Sequence, residues 1–545
     1  MRRALLCGLV LALALPGTAL GAFPWTRGGE PPNDLTDKRV WMFAATPEPG
    51  NDAVNSRPHE LHGVRGAHLV DREQRAKTAW QITTGRPDVT IAVLDSGIRW
   101  DDRGAMNDLR RKTRLSKGEL ERPRADRRVA RCASYRAGRW DADGDGVFTV
   151  DDYACDRRVR PDPPEGAGPP DVLDPQDVLI AFSNGVDDDR NGFVDDIVGW
   201  DFLDDDNDPF DDVAYGHGTG EARDSAAEAD NGGDLGSCPN CMVIHMRVGD
   251  SFIADSADFG QAVIYAVDNG AYVVQEALGT LNNTGLARAA VEYAYRHGVA
   301  VIASAADEAA QHHNWPSNLP HTIVVNSVTK YDDAFTPLPR SYLQFNGCTN
   351  FSSKIAVAIP SVSCSSEATG RAAGMAGLIY SAALEAIAAG KLKPHPTCRM
   401  VSGKRCPLSA NEVRQLLIQH ADDVDFAVDP EPSCTPVPRP FCTDPTLGAP
   451  GNWLVISPLA TTRRYPARAG HDQFYGYGRV NMRRTIEATA AARIPPEAEI
   501  TAPEWFDMVD PGQGAVDVRG EVGARGRAYR CRVEVAPGSQ PNNAR

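Results

Sequence analysis

The sequence has no surplus of positive charge: 57 Lys and Arg stand against 73 Asp and Glu in 545 residues, a formal net charge of −16 at pH 7. Nucleic-acid binding needs a basic face, so this balance argues against that class. Apolar runs are scarce too. Residues 4–15 (ALLCGLVLALAL) form one, but it is too short to span a bilayer. There is no low-complexity tract and no obvious internal repeat. The acidic residues are not spread evenly; they bunch between Asp141 and Asp212, a distribution that suits cation sites better than general solvation.

Arg2 and Arg3, the apolar run and Ala19-Leu20-Gly21 read as a secretory signal over residues 1–21, cut after Gly21. The expected location is secreted, extracellular or periplasmic, with no membrane insertion after signal cleavage. Export permits disulfides. Proximity pairs Cys132 with Cys155, Cys238 with Cys241, Cys348 with Cys364, Cys398 with Cys406 and Cys434 with Cys442. Cys531 is left over, in a strand-rich segment expected to be the start of a truncated domain.

Residues 22–75 carry Pro, Gly and charge without periodicity, and are expected to be an N-terminal extension, either a propeptide or a surface arm. From residue 76 the pattern changes. Apolar runs VTIAVLD (89–95), MVIHMRV (242–248), YVVQEAL (272–278), VAVIASA (299–305) and TIVVNSV (322–328) alternate with helical stretches. Continuous apolar strands with helical crossovers predict an α/β fold, a doubly wound parallel sheet covered on both faces. This domain is expected over 76–494, with an acidic insertion at about 130–212 and a Cys/Pro-rich one at about 392–470. After Pro495-Pro496 the period becomes two, predicting a small C-terminal β segment over 497–545.

Three segments carry chemistry. In AVLDSGI, Asp95 ends a buried strand. In GHGTG, His217 opens a helix. In SCSSEATGRAAGMAGLIYSAAL, Ser366 opens an Ala-rich helix whose free N–H groups favour a developing oxyanion. With AWQITTGRPDVTIAVLDSGI, GWDFLDDDNDPFDD and YGYGRVN, these segments resemble the subtilisin-like serine peptidases (subtilases) over roughly residues 78–490. The chain order Asp, His, Ser is that family's. The resemblance implies a secreted endopeptidase acting on polypeptides, with Ser366 as nucleophile, His217 as general base and Asp95 orienting it. The order also argues against an α/β-hydrolase esterase, as does the lack of a G-x-S-x-G elbow around Ser366.

The departures from the family cluster at the site. Asp307 stands where the family has an oxyanion-hole Asn; sedolisins, distant relatives, also place Asp there. An ionised Asp cannot donate a hydrogen bond, whereas a protonated one can. Cys364-Ser365 replaces Gly-Thr, Glu367 often-Met, and Gly370 a Pro. The substrate strand reads Ala277-Leu278-Gly279 after Glu276, with Leu278 and Gly279 expected to offer backbone groups to an extended peptide. Charged Glu221-Ala222-Arg223-Asp224 follows His217. Two readings compete: a catalytically inactive, calcium-stabilised binding or surface protein, and a retuned peptidase in which Asp307, Glu276 and Glu367 share protons, balanced by Arg223 or Arg371. The second is favoured by the intact triad and predicts an acid-shifted optimum.

Residues 141–152, DADGDGVFTVDD, fit an EF-hand loop and resemble dockerin-type calcium loops. Asp141, Asp143, Asp145, the Val147 carbonyl, Thr149 and Asp152 are the expected ligands of a structural calcium. Cys132 and Cys155 flank it. A second stretch offers Asp187, Asp189, Asn191, the Phe193 carbonyl and Asp195. Cys238-Pro-Asn-Cys241 reads as a structural disulfide rather than a metal pair, and His312-His313 as surface or packing groups. Cleavage preference and oligomeric state are not legible.

Overall fold

A computed structural model of the chain describes residues 23–26, 30–35, 40–43, 67–70, 77–126, 128–161, 172–213, 215–280, 282–312, 314–329, 344–424, 467–504 and 507–535. The expected signal segment and Cys434/Cys442 lie outside the described residues.

The strands are β1 (Thr90–Asp95), β2 (Gly199–Asp201), β3 (Met242–Arg247), β4 (Ile253–Ala254), β5 (Val273–Glu276), β6 (Gly279–Thr280), β7 (Ala300–Ser304), β8 (Thr322–Thr329), β9 (Gln344–Phe345), β10 (Ile355–Pro360), β11 (Glu497–Ala502) and β12 (Arg519–Gly523). The main sheet runs β10-β8-β7-β5-β1-β3-β2, all parallel, with β9 antiparallel on β8. β1 is central, with Leu94 level with Glu276 on one side and Met246 on the other. Both faces are buried, as its unbroken apolar sequence requires. One face packs on helices His217–Ala226, Ser365–Ala388 and Met482–Ala490, the other on Ser256–Asp268 and Gly285–Arg296. This is the expected doubly wound α/β arrangement. β11 and β12 form the small antiparallel C-terminal pair.

Part of the N-terminal extension lies in the core rather than on the surface. Trp25, Met42, Phe43 and Leu69 are buried. The Trp25 ring meets Trp80 edge-on at 5.5 Å, and its amide donates to Asn240 Oδ1 at 2.7 Å. The cysteine pairs 132–155, 238–241, 348–364 and 398–406 are joined, while Cys531 is free and exposed. Among the described residues no helix is long and apolar enough to cross a membrane.

Candidate active site

Asp95 closes β1 at the sheet's C-terminal edge, where ligand sites of open α/β folds form. His217 is the first residue of its helix. A short relay fixes their meeting: Asp211 Oδ2 accepts from Ser96 Oγ at 2.7 Å and from the Gly216 amide at 3.0 Å, and Ser96 Oγ accepts from the Gly218 amide at 3.0 Å. His217 Nδ1 then lies 2.7 Å from Asp95 Oδ1, which also accepts from the Ser96 amide at 2.8 Å. Tyr215 stacks on the imidazole at 5.8 Å and Phe252 meets it edge-on at 5.3 Å. Burial works against a proton on His217, but Asp95 outweighs it, with help from Glu221 and Asp307, and lifts the imidazole to about 9.

Ser366 is the second residue of a 24-residue helix, half-buried, with its Oγ 3.4 Å from the Ala277 carbonyl. No hydrogen bond joins it to His217 in this structure. Such contacts are commonly loose before substrate binds. The Cys348–Cys364 bridge anchors the residue before the helix and closes a separation of 16 residues. Cys348→Ser/Cys364→Ser is expected to lower unfolding free energy by about 3 kcal/mol, the loop-closure value. An unchanged urea midpoint would refute this.

Asp307 is exposed as a residue, but its carboxyl is enclosed against the serine turn, and that desolvation raises its pKa. Oδ1 accepts from the Ser365 amide at 2.8 Å and from Ser365 Oγ at 2.5 Å. This oxygen is therefore an acceptor that fixes the turn.

The shared acidic group does not form. Glu367 Oε1 binds the buried Arg371 guanidinium at 2.7 and 3.0 Å, and its Oε2 accepts from the Val362 and Ser363 amides at 2.8 and 2.7 Å. Arg371 also reaches Asp224 at 3.2 Å. Arg223 is committed elsewhere, to Asp108 and Asp234. Glu276 points away from these groups: its neighbour Gln275 donates to Glu221 at 3.1 Å, so the pleat turns Glu276 to the opposite face. There it is buried with neither carboxylate oxygen in a hydrogen bond, although the Leu278 amide lies near enough to favour ionisation; burial wins and holds it protonated well above the ordinary range. The exchange of Pro for Gly370 has a local cause, because a Cβ there would sit 2.9 Å from Glu221 Oε2 and 2.8 Å from Asp224 Cβ.

The expected substrate strand is partly occupied. Leu278 is buried in the apolar cluster beneath the sheet, and the Gly279 amide donates to the Phe252 carbonyl at 2.8 Å as β6 pairs with β4. Strand addition at Gly279 requires β4 to shift.

Of the expected calcium ligands, Asp141, Asp143 and Asp145 come together, each offering a carboxylate oxygen within 4.8 Å of the others. Loop turns orient them, with the Gly146 amide on Asp141 and the Val147 amide on Asp145. Asp152 instead accepts from the Asp143 and Thr149 amides, and Thr149 caps the Asp151 amide. Val147 packs with Phe23 and Met242. In the second stretch, Asp187 accepts from the Asn191 and Gly192 amides and Asp195 from the Asn184 and Gly185 amides. The Phe193 ring packs on Trp200 and Tyr265. Only Asp189 of this set joins a carboxylate cluster, with Glu119 and Asp196. Glu119 lies too far along the chain for spacing to reveal it.

A parallel sheet that brings Asp95 and His217 together beside the Ser366 helix defines a subtilisin-like architecture. The Peptidase S8 profile, the subtilase family, matches residues 86–478, and the chain belongs to that family. It is 35% identical over 162 residues to the thermophilic serine proteinase of Bacillus sp. (strain AK1), covering 28% of this chain and 39% of that protein. It is 29% identical over 250 residues to thermitase of Thermoactinomyces vulgaris, covering 42% of this chain and 85% of thermitase. Among solved structures, sphericase aligns with a TM-score of 0.39 and 16% identity over 79% of this chain and 97% of that one.

Proposed function

We propose that the chain is an exported serine endopeptidase with Asp95, His217 and Ser366 as its triad. The observation that carries this is the 2.7 Å Asp95–His217 bond beside a helix that begins at Ser365 and Ser366. Asp95 fixes the imidazole with Nδ1 protonated and Nε2 free to take the Ser366 proton. Ser366 Oγ attacks the scissile carbonyl, and His217 then gives the proton to the leaving amine. Amides of the helix's first turn face the developing oxyanion. The 141–152 loop would hold calcium as a structural ion through Asp141, Asp143 and Asp145, whose oxygen donors suit a hard cation. The polypeptide enters once β4 moves off Gly279.

The sequence-based expectation of an acid-shifted optimum is not supported by the surroundings of His217. A base must be unprotonated to act, and the Asp95 carboxylate keeps the proton on His217 up to about 9, so the acid limb of the rate profile belongs at alkaline pH. Fluorophosphonate labelling scanned from about pH 5 to about pH 11 tests both points, with a Ser366→Ala control. Labelling that rises with pH and vanishes in the control is expected. Absence of labelling at every pH in folded protein would favour the inactive binding protein.

A further inference from the structure

We propose that Glu119, Asp189 and Asp196 form a calcium site separate from the 141–152 loop. One carboxylate oxygen of each lies within 4.8 Å of the other two. Glu119 and Asp196 are buried, at 3% and 1% exposure, while Asp189 is exposed and leaves a route from solvent.

The surroundings show a built cradle. Asp196 Oδ2 accepts from Tyr265 Oη at 2.6 Å and from Asn191 Nδ2 at 2.9 Å, but its buried Oδ1 has no hydrogen-bond partner. A buried carboxylate oxygen left so is costly unless a cation meets it. Glu119 is aimed by the Asp188 and Asp189 amides, at 3.3 and 2.9 Å. The segment carrying Glu119 is held to that carrying Asp196 by Ser116 N–H to the Ile197 carbonyl at 2.8 Å. Gly118 makes the approach possible: a Cβ there would fall 2.3 Å from Asp189 Oδ2. The half-buried cation nearby, Arg114, donates to the Asn269 carbonyl. Three carboxylates and no nitrogen or sulfur donor select a hard cation, with water completing the shell. The site joins the acidic insertion to helix Ser256–Asp268 through Tyr265, so its ion ties that insertion to the sheet.

Counting bound calcium on full-length Ser366→Ala protein, which cannot digest itself, separates this proposal from the peptidase reading. Equilibrium dialysis with metal analysis is expected to show one calcium fewer per chain for Glu119→Gln and for Asp196→Asn. Asp187→Asn and Asp195→Asn are expected to keep the parent count. An unchanged count in the first pair, or a loss that follows Asp195, overturns the proposal. Should the buried variants fail to fold, Gly118→Val displaces Asp189 from outside and is expected to weaken one site at least about tenfold; unchanged affinity there also overturns it.

Discussion

Asp307→Asn is expected to raise kcat/KM at alkaline pH by about 10²-fold, the lower end of what one oxyanion donor contributes. Asp307 Oδ1 is spent on the amide and hydroxyl of Ser365, so only its second oxygen is left for a substrate. That oxygen donates only when protonated. Enclosure raises the Asp307 pKa and thus favours the donating form at low pH, where His217 still carries the proton that blocks it as a base. The two requirements pull in opposite directions along the pH axis. With Asp307 facing the oxyanion, as the resemblance to the family implies, the wild-type protein would have few molecules in the productive protonation state at any pH.

Asparagine removes the conflict. Its carbonyl oxygen can keep the Ser365 bonds while its amide donates at every pH. The loss of a negative charge that helps hold the His217 proton also moves the acid limb to lower pH. The measurement is kcat/KM against pH on a chromogenic peptide for both proteins. A variant no faster than wild type at any pH would mean that Asp307 does not face the oxyanion.

The sheet was legible because buried parallel strands have to be continuous and apolar. The runs at 89–95, 242–248, 299–305 and 322–328 coincide with β1, β3, β7 and β8 to within a residue at each end. The run at 272–278 ends early as a strand, at Glu276, because the chain turns at Ala277 to present its carbonyl to Ser366. IAVAIP, which becomes β10, carries the same apolar signal; GWD, which becomes β2, is too short to show one. Asp95 and His217 were readable because each sits in a motif a few residues long. The partners of Asp307 and Glu119 were not, because they come from separate segments or from backbone amides, and a side chain's spacing does not say which amide it will meet; for Glu367 only Arg371, four residues on in the same helix, was readable, and the Val362 and Ser363 amides were not. The same limit explains why Glu276 and Glu367 looked like one acidic group: strand alternation places Glu276 on the far face, and the Arg371 guanidinium takes Glu367.

Arg371→Met is expected to cost about 3–5 kcal/mol, the penalty for breaking a buried ion pair from one side. Arg371 is 2% exposed, and its guanidinium binds Glu367 and Asp224 and lies over the Phe43 ring at 4.7 Å. Removing it leaves Glu367 buried and negative beside Asp224 and Glu221, with no other cation in the hydrogen-bonding set around Glu367. Adding Glu367→Gln removes the stranded charge while an amide oxygen can still accept from Val362 and Ser363, so the double variant is expected to recover most of the loss. Urea unfolding of the four proteins gives the coupling directly. A single-variant cost below about 1 kcal/mol would place the pair in the solvated class and refute the argument. Labelling of Ser366 supplies a second readout: Glu367 ties Arg371 to the turn that feeds the nucleophile, so the single variant should react more slowly even where it is fully folded, and the double variant should regain that rate together with its stability.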